Sequence, residues 1–155
     1  MIYSSWGMYP KARCDSFKFD KKKDLRAVIC NHDNLIPRGN GRSYGDSALN
    51  DNIINVTQKN YFLDFNEKNG LLHVQAGVLL SDILEYLVPR GWFLKVTPGT
   101  KFITVGGAIA SDVHGKNHHI EGCFSECTQE FNIMLADGSV IACSKEVTPE
   151  LFKAT

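Results

Sequence analysis

No stretch of the 155-residue chain reaches the roughly 18 consecutive apolar residues of a membrane-spanning helix, so no span is expected. Net charge is absent as well: 17 Lys and Arg balance 17 Asp and Glu. Bulk charge would therefore draw neither nucleic acid nor an anionic membrane. The five cysteines, Cys14, Cys30, Cys123, Cys127 and Cys143, are odd in number and lack the spacing of a small disulfide-stapled domain. Reduced thiols and a cytoplasmic setting are the expectation. Met1 to Met8 contains no basic segment leading into an apolar core, so no signal peptide is expected. Internal repeats and low-complexity tracts are missing too.

What is present suits one domain with a genuine core: 43% of residues are hydrophobic and 22% charged. Residues 1–16 are aromatic and polar without a period, and are expected to cross the surface. Phe17 and Phe19 suggest a short strand, and Asp24–Cys30 an amphipathic helix. Ile53–Val56 reads as a strand. Tyr61–Phe65 and Leu71–Ala76 predict a hairpin across Asn69-Gly70, and Phe131–Ala136 and Ser139–Cys143 another across Asp137-Gly138. Ser81–Val88 places Ile83, Leu84, Leu87 and Val88 on one helical face, and Phe93–Val96 follows as a strand. The mixture predicts an α+β fold; approximate subdomains 1–58 and 59–155 are expected within it.

Two glycine-rich stretches carry the chemistry. In the first, Arg38, Gly39, Asn40, Gly41, Arg42, Ser43, Tyr44, Gly45, Asp46 and Ser47 follow a strand. The stretch is no Walker A loop, lacking Gly-Lys-Ser/Thr, and its glycines do not fall in G-x-G-x-x-G. It suits a nest, a concave run of N–H groups around an anion, with Arg38 or Arg42 adding charge and Tyr44 stacking on a flat ring. The competing reading is an exposed turn with a salt-bridged arginine. The second stretch runs from Pro98-Gly99 through Thr104, Val105, Gly106 and Gly107 to Ser111, Asp112, Val113 and His114. Thr104 is a candidate N-cap of a short helix. Glycine at its start leaves N–H groups bare for an anion, or else permits close packing.

Together the stretches resemble the FAD-binding (PCMH-type) domain of the vanillyl-alcohol oxidase superfamily. The motifs Arg-Gly-x-Gly-Arg-Ser-Tyr-Gly-Asp (38–46) and Pro-Gly-Thr-(x)4-Val-Gly-Gly-Ala-Ile-Ala-x-Asp-Val-His-Gly-Lys-Asn-His-His (98–119) are similar to its branch of decaprenylphosphoryl-β-D-ribose oxidase-like sugar oxidases. The resemblance runs from Ser5-Trp6-Gly7 to the last residue. It implies that residues 38–47 wrap the FAD diphosphate, that Gly99 and Thr104–Gly107 cover its other side, and that Ser111–His114 lie along the ribityl and isoalloxazine portion. His114 and Lys116 would face the substrate side, with His114 a candidate base. Ser111 stands where relatives can carry Cys. Covalent relatives have His at the position of Arg42, so non-covalent FAD is implied.

The implied activity is hydride transfer from a sugar or polyprenyl-phosphoryl-sugar hydroxyl carbon to the flavin, with an alditol or aldonolactone as the alternative substrate. A rival from another class is a non-catalytic nucleotide- or metal-binding interaction module, using His114, His118, His119, Cys123 and Cys127. Their spacing is not that of a zinc knuckle, and Gly115 and Gly122 break any continuous helix, so no metal is expected. In the resembled family further FAD-domain strands and a substrate-binding cap follow. The chain is thus expected to be an N-terminal fragment, inactive alone, with open strand edges that invite self-association.

Overall fold

The computed structural model describes residues 1–155. It divides into two units, Met1–Asn55 with Thr128–Thr155, and Val56–Cys127. The last segment groups with the opening of the chain rather than with residues 59–127.

In the first unit, β1 (Ile2–Ser4) pairs antiparallel with β2 (Lys11–Arg13). Strands β3 (Asp15–Phe17), β4 (Ile36–Arg38) and β5 (Asn52–Asn55) form a parallel sheet in the order β3-β5-β4. Residues 1–16 thus contain β1, β2 and most of β3, which the sequence reading missed. Strands of three residues, with exposed ends, show no usable alternation. Their closure comes from the backbone, as Cys14 N–H donates to the Met1 carbonyl at 2.9 Å.

Helix α1 (Lys22–Cys30) forms the crossover connection between parallel strands β3 and β4. The central strand β5 carries the fully buried Ile53 and the buried Ile54. Later in the chain β8 (Glu130–Met134) and β9 (Val140–Ser144) pair antiparallel, and α5 (Pro149–Ala154) sets Phe152 against Phe131 with ring centroids 5.3 Å apart. Arg26 of α1 donates to the Gly138 carbonyl at 2.8 Å and so ties the β8–β9 turn to the sheet's helix.

The second unit opens with the hairpin of β6 (Phe62–Asn66) and β7 (Leu71–Val74). Phe62 and Phe65 are an odd number of residues apart and would face opposite sides of a regular strand. A register shift between Phe62 and Asp64 changes the parity, so both rings meet Tyr86, at 5.0 and 5.8 Å. Both expected hairpins form, but with longer turns than the Asn-Gly and Asp-Gly pairs predict. Asn66 pairs with Leu71 and Met134 with Val140, and Gly70 and Gly138 take the left-handed positions at φ 70° and 77°.

Helix α2 (Leu80–Leu87) buries Leu80, Ser81, Ile83 and Leu87. Val88, expected on that face, has already turned outward into the 3-10 turn Val88–Arg90 and is 52% exposed. Val78, Val96, Ala108 and Phe124 complete the buried core with α2. Phe93–Val96 is not a strand. Val96 is fully buried, but the Lys95 carbonyl accepts from the Asn117 side chain at 3.2 Å instead of joining a ladder. Two short helices follow, α3 (Val105–Ala110) and α4 (His118–Glu121). None of the helices is long and apolar enough to cross a membrane.

Candidate functional site

The first glycine-rich stretch begins where β4 ends. Arg38 is buried, and its guanidinium donates to the Ser4 carbonyl at 2.6 Å and the Ala48 carbonyl at 3.3 Å. Its carbon lies 5.1 Å from the centre of the Tyr3 ring. Burial lowers its pKa from the ordinary value, with Tyr3 and Cys14 partly opposing. Arg38 thus spans the loop from root to exit. Two of its donors are taken by the Ser4 and Ala48 carbonyls, so in this structure the guanidinium braces the loop against the first strand.

Beyond Arg38 the chain turns through Gly41 at φ 67° and Gly45 at φ 56°, conformations that favour glycine. The Ser43 carbonyl accepts from the Trp6 N–H at 3.0 Å, and the Ser47 hydroxyl donates to the Tyr44 carbonyl at 2.9 Å. The backbone N–H groups of residues 41–45 donate to no acceptor in the protein. Arg42 donates once, to the Asn40 carbonyl at 3.3 Å, and its Nε is buried without a partner. An orphaned guanidinium nitrogen beside free N–H groups is the donor set that a phosphate oxygen would satisfy. Tyr44, 81% exposed, presents a free ring. A Cβ placed on Gly45 would meet nothing within 4 Å, so the loop is open at that turn.

The second stretch is built differently. Thr104 caps α3 as expected, its hydroxyl accepting from the Gly107 N–H at 3.1 Å. The bare N–H groups expected there are all engaged. Val105 donates to the Val78 carbonyl at 2.8 Å, Gly106 to the Ala76 carbonyl at 2.8 Å, and Gly107 to its cap. The first turn of α3 therefore offers no donor to a diphosphate, and the close-packing reading holds for Gly106. What α3 does offer is surface: Gly107, Ala110 and Ser111 are exposed and small, and Gly99 has open space around it.

At the end of α3, Asp112 adopts φ 37°, and its carboxylate accepts from the Ser125 N–H at 2.8 Å. That bond aligns the following segment, where Val113 accepts from Phe124 N–H at 2.8 Å and His114 bridges to Cys123. One carboxylate oxygen of Asp112 is thus engaged within the fold. His114 is exposed, with its ring 5.5 Å from that of His118. The 114–121 segment is pinned at both ends. Gly115 is buried, and a Cβ there would lie 2.6 Å from the Thr97 carbonyl. Lys95 pairs with Glu121 at 3.2 Å. Of the histidine and cysteine cluster, no group of three or more His, Cys, Asp or Glu is placed to hold a metal ion.

Residues 20–144 match the FAD binding domain family, and the chain belongs to it. FAD is accordingly its cofactor, and the free donors of residues 41–45 fit that group's phosphates. The chain is 38% identical over 128 residues to decaprenylphosphoryl-beta-D-ribose oxidase of Mycolicibacterium smegmatis, covering 78% of this chain and 27% of the relative. It is 31% identical over 119 residues to L-gulonolactone oxidase of Mus musculus, covering 75% and 26%. The solved structure of 6-hydroxy-D-nicotine oxidase from Arthrobacter nicotinovorans superposes with a TM-score of 0.73 at 21% identity, over 84% of this chain and 29% of that one. The fold expectation, α+β of the PCMH type, agrees with that likeness.

Proposed function

We propose that the chain is the FAD-holding part of a flavin-dependent oxidoreductase that oxidises a sugar hydroxyl. The observation that carries this reading is the 41–45 run of free N–H groups beside the unpartnered Nε of Arg42. In this reading Gly39–Ser47 cradle the diphosphate, while Arg38 holds the loop in shape. Gly99, Thr104–Gly107 and Ser111–His114 are proposed as further cofactor contacts, although the N–H groups of Val105, Gly106 and Gly107 are engaged within the fold. When bound, FAD supplies the hydride acceptor. The chain's own residues bind and orient it, and His114 is the candidate to take the hydroxyl proton.

A polyprenyl-phosphoryl pentose is the proposed substrate class, supported by the mycobacterial relative. An aldonolactone or alditol is the second reading, supported by the L-gulonolactone oxidase likeness. The protein is proposed to work in the cytoplasm, with its flavin held non-covalently. Residues 1–155 alone are proposed to hold FAD weakly, to self-associate and to turn over no sugar, because they span 27% of the mycobacterial relative.

Reconstitution with excess FAD tests the reading. Bound flavin by equilibrium dialysis, without substrate-dependent bleaching, is expected. Stoichiometric zinc without flavin would favour an interaction module instead. Tight FAD binding with bleaching by a sugar would show that these residues suffice for turnover.

A further inference from the structure

The family match begins at residue 20, yet the cofactor loop is fastened from ahead of it. Tyr3 lies against Arg38 at 5.1 Å, and the neighbouring Ser4 carbonyl accepts from the same guanidinium at 2.6 Å. Trp6 repeats the arrangement further along the loop. Its N–H donates to the Ser43 carbonyl at 3.0 Å, and its ring centre lies 5.1 Å from the Arg42 guanidinium carbon. Two aromatic–arginine pairs, each accompanied by a hydrogen bond through a residue next in sequence to one partner, thus hold the two ends of the turn.

The pairs do different things. Arg38 is anchored by two carbonyls and would keep its place without Tyr3. Arg42 has one long bond, 3.3 Å to Asn40 within its own loop, and a buried Nε with no partner. Such a side chain has many rotamers and little to choose between them. The face of the Trp6 ring supplies the missing constraint, attracting the cation and limiting the tilt of its plane. Trp6 itself is 51% exposed, so it is not a core residue whose loss would open a cavity.

We infer that Trp6 is a positioning residue for Arg42, holding the guanidinium so that its unused donor stays available to an anionic oxygen of FAD. The inference rests on the proposed FAD role of the loop. It predicts that affinity and folding separate. Trp6→Ala should weaken FAD binding about tenfold while leaving the melting temperature nearly unchanged. Trp6→Phe, which retains a π face, should restore most of the affinity.

The deciding experiment is a double-mutant cycle, with FAD dissociation constants from equilibrium dialysis for the parent, Trp6→Ala, Arg42→Ala and the double variant. Trp6→Ala should cost nothing further once Arg42 is gone. An equal loss in both backgrounds, or no loss where the parent binds FAD, overturns the inference and leaves the FAD reading intact. A parent that binds no FAD overturns both. Should Trp6→Ala melt early, Trp6→Leu decides: it retains apolar bulk without a π face, and parent-like affinity in that variant would overturn the inference.

Discussion

Gly106 donates its N–H to the Ala76 carbonyl at 2.8 Å, and a Cβ added to Gly106 would lie 3.0 Å from the Ala76 Cβ. The start of α3 is thus pressed against the chain leaving β7, and the missing side chain makes that approach possible. Val at this position would meet backbone as well as side chain, with the Ala76 carbonyl oxygen 3.2 Å away. Gly106→Val should destabilise the fold by about 1–3 kcal/mol through overpacking, so folding suffers before any effect on FAD. Urea unfolding measures this directly. A parent-like midpoint would return the glycine to a purely cofactor-facing role.

Thr104→Ala tests the same turn from its cap. Losing the hydroxyl that accepts from Gly107 should cost about 1 kcal/mol. The cost should appear in the unfolding midpoint without a change in slope. No shift would mean that the Val105 and Gly106 bonds to Val78 and Ala76 hold the helix start without it.

Arg38→Met should be among the most damaging single changes in the first unit. It leaves the Ser4 and Ala48 carbonyls without their donor, at about 1–3 kcal/mol for each unsatisfied group that stays buried. Arg38→Lys should recover only part of this, because one ammonium cannot reproduce a planar fork between two carbonyls. Chemical denaturation of the three proteins is the measurement. Equal stability of parent and Arg38→Met would show that Arg38 is held for the ligand rather than for the loop.

Any bound FAD should leave the protein on acid or heat denaturation. Arg42 stands where covalent relatives of the resembled superfamily carry His, and a guanidinium forms no histidyl–flavin bond. The check is flavin absorbance in the supernatant after precipitation. Flavin retained in the washed pellet would defeat the prediction.

Cys127 should alkylate more slowly than Cys30 near pH 8. Burial raises its thiol pKa, opposed in part by backbone hydrogen bonds and Lys95, and its sulfur donates to the Phe124 carbonyl at 3.2 Å. A raised pKa lowers the thiolate fraction, which is the reactive species. Both cysteines are exposed as residues, so access alone would not separate them. Peptide mapping after brief iodoacetamide treatment gives the two rates, and equal rates would sink the claim.

Local signals in the chain determined several features by themselves. Thr104 capping α3, glycines at the left-handed turn positions 70 and 138, and the amphipathic α1 and α2 all depend on neighbours within a few residues. The two glycine-rich motifs were legible for the same reason, because turn conformations and helix caps are written in consecutive side chains. The tertiary structure decided which donors remain free. Gly106 donates its N–H to Ala76, Arg38 donates to Ser4 and Ala48, and Asp112 accepts from Ser125, while the N–H groups of residues 41–45 keep no acceptor. It also placed Thr128–Thr155 with the opening segment and denied Phe93–Val96 a strand partner. A hydrogen bond is satisfied by whatever acceptor the folded chain brings within about 3 Å, and those acceptors lie well outside the span over which sequence spacing carries information.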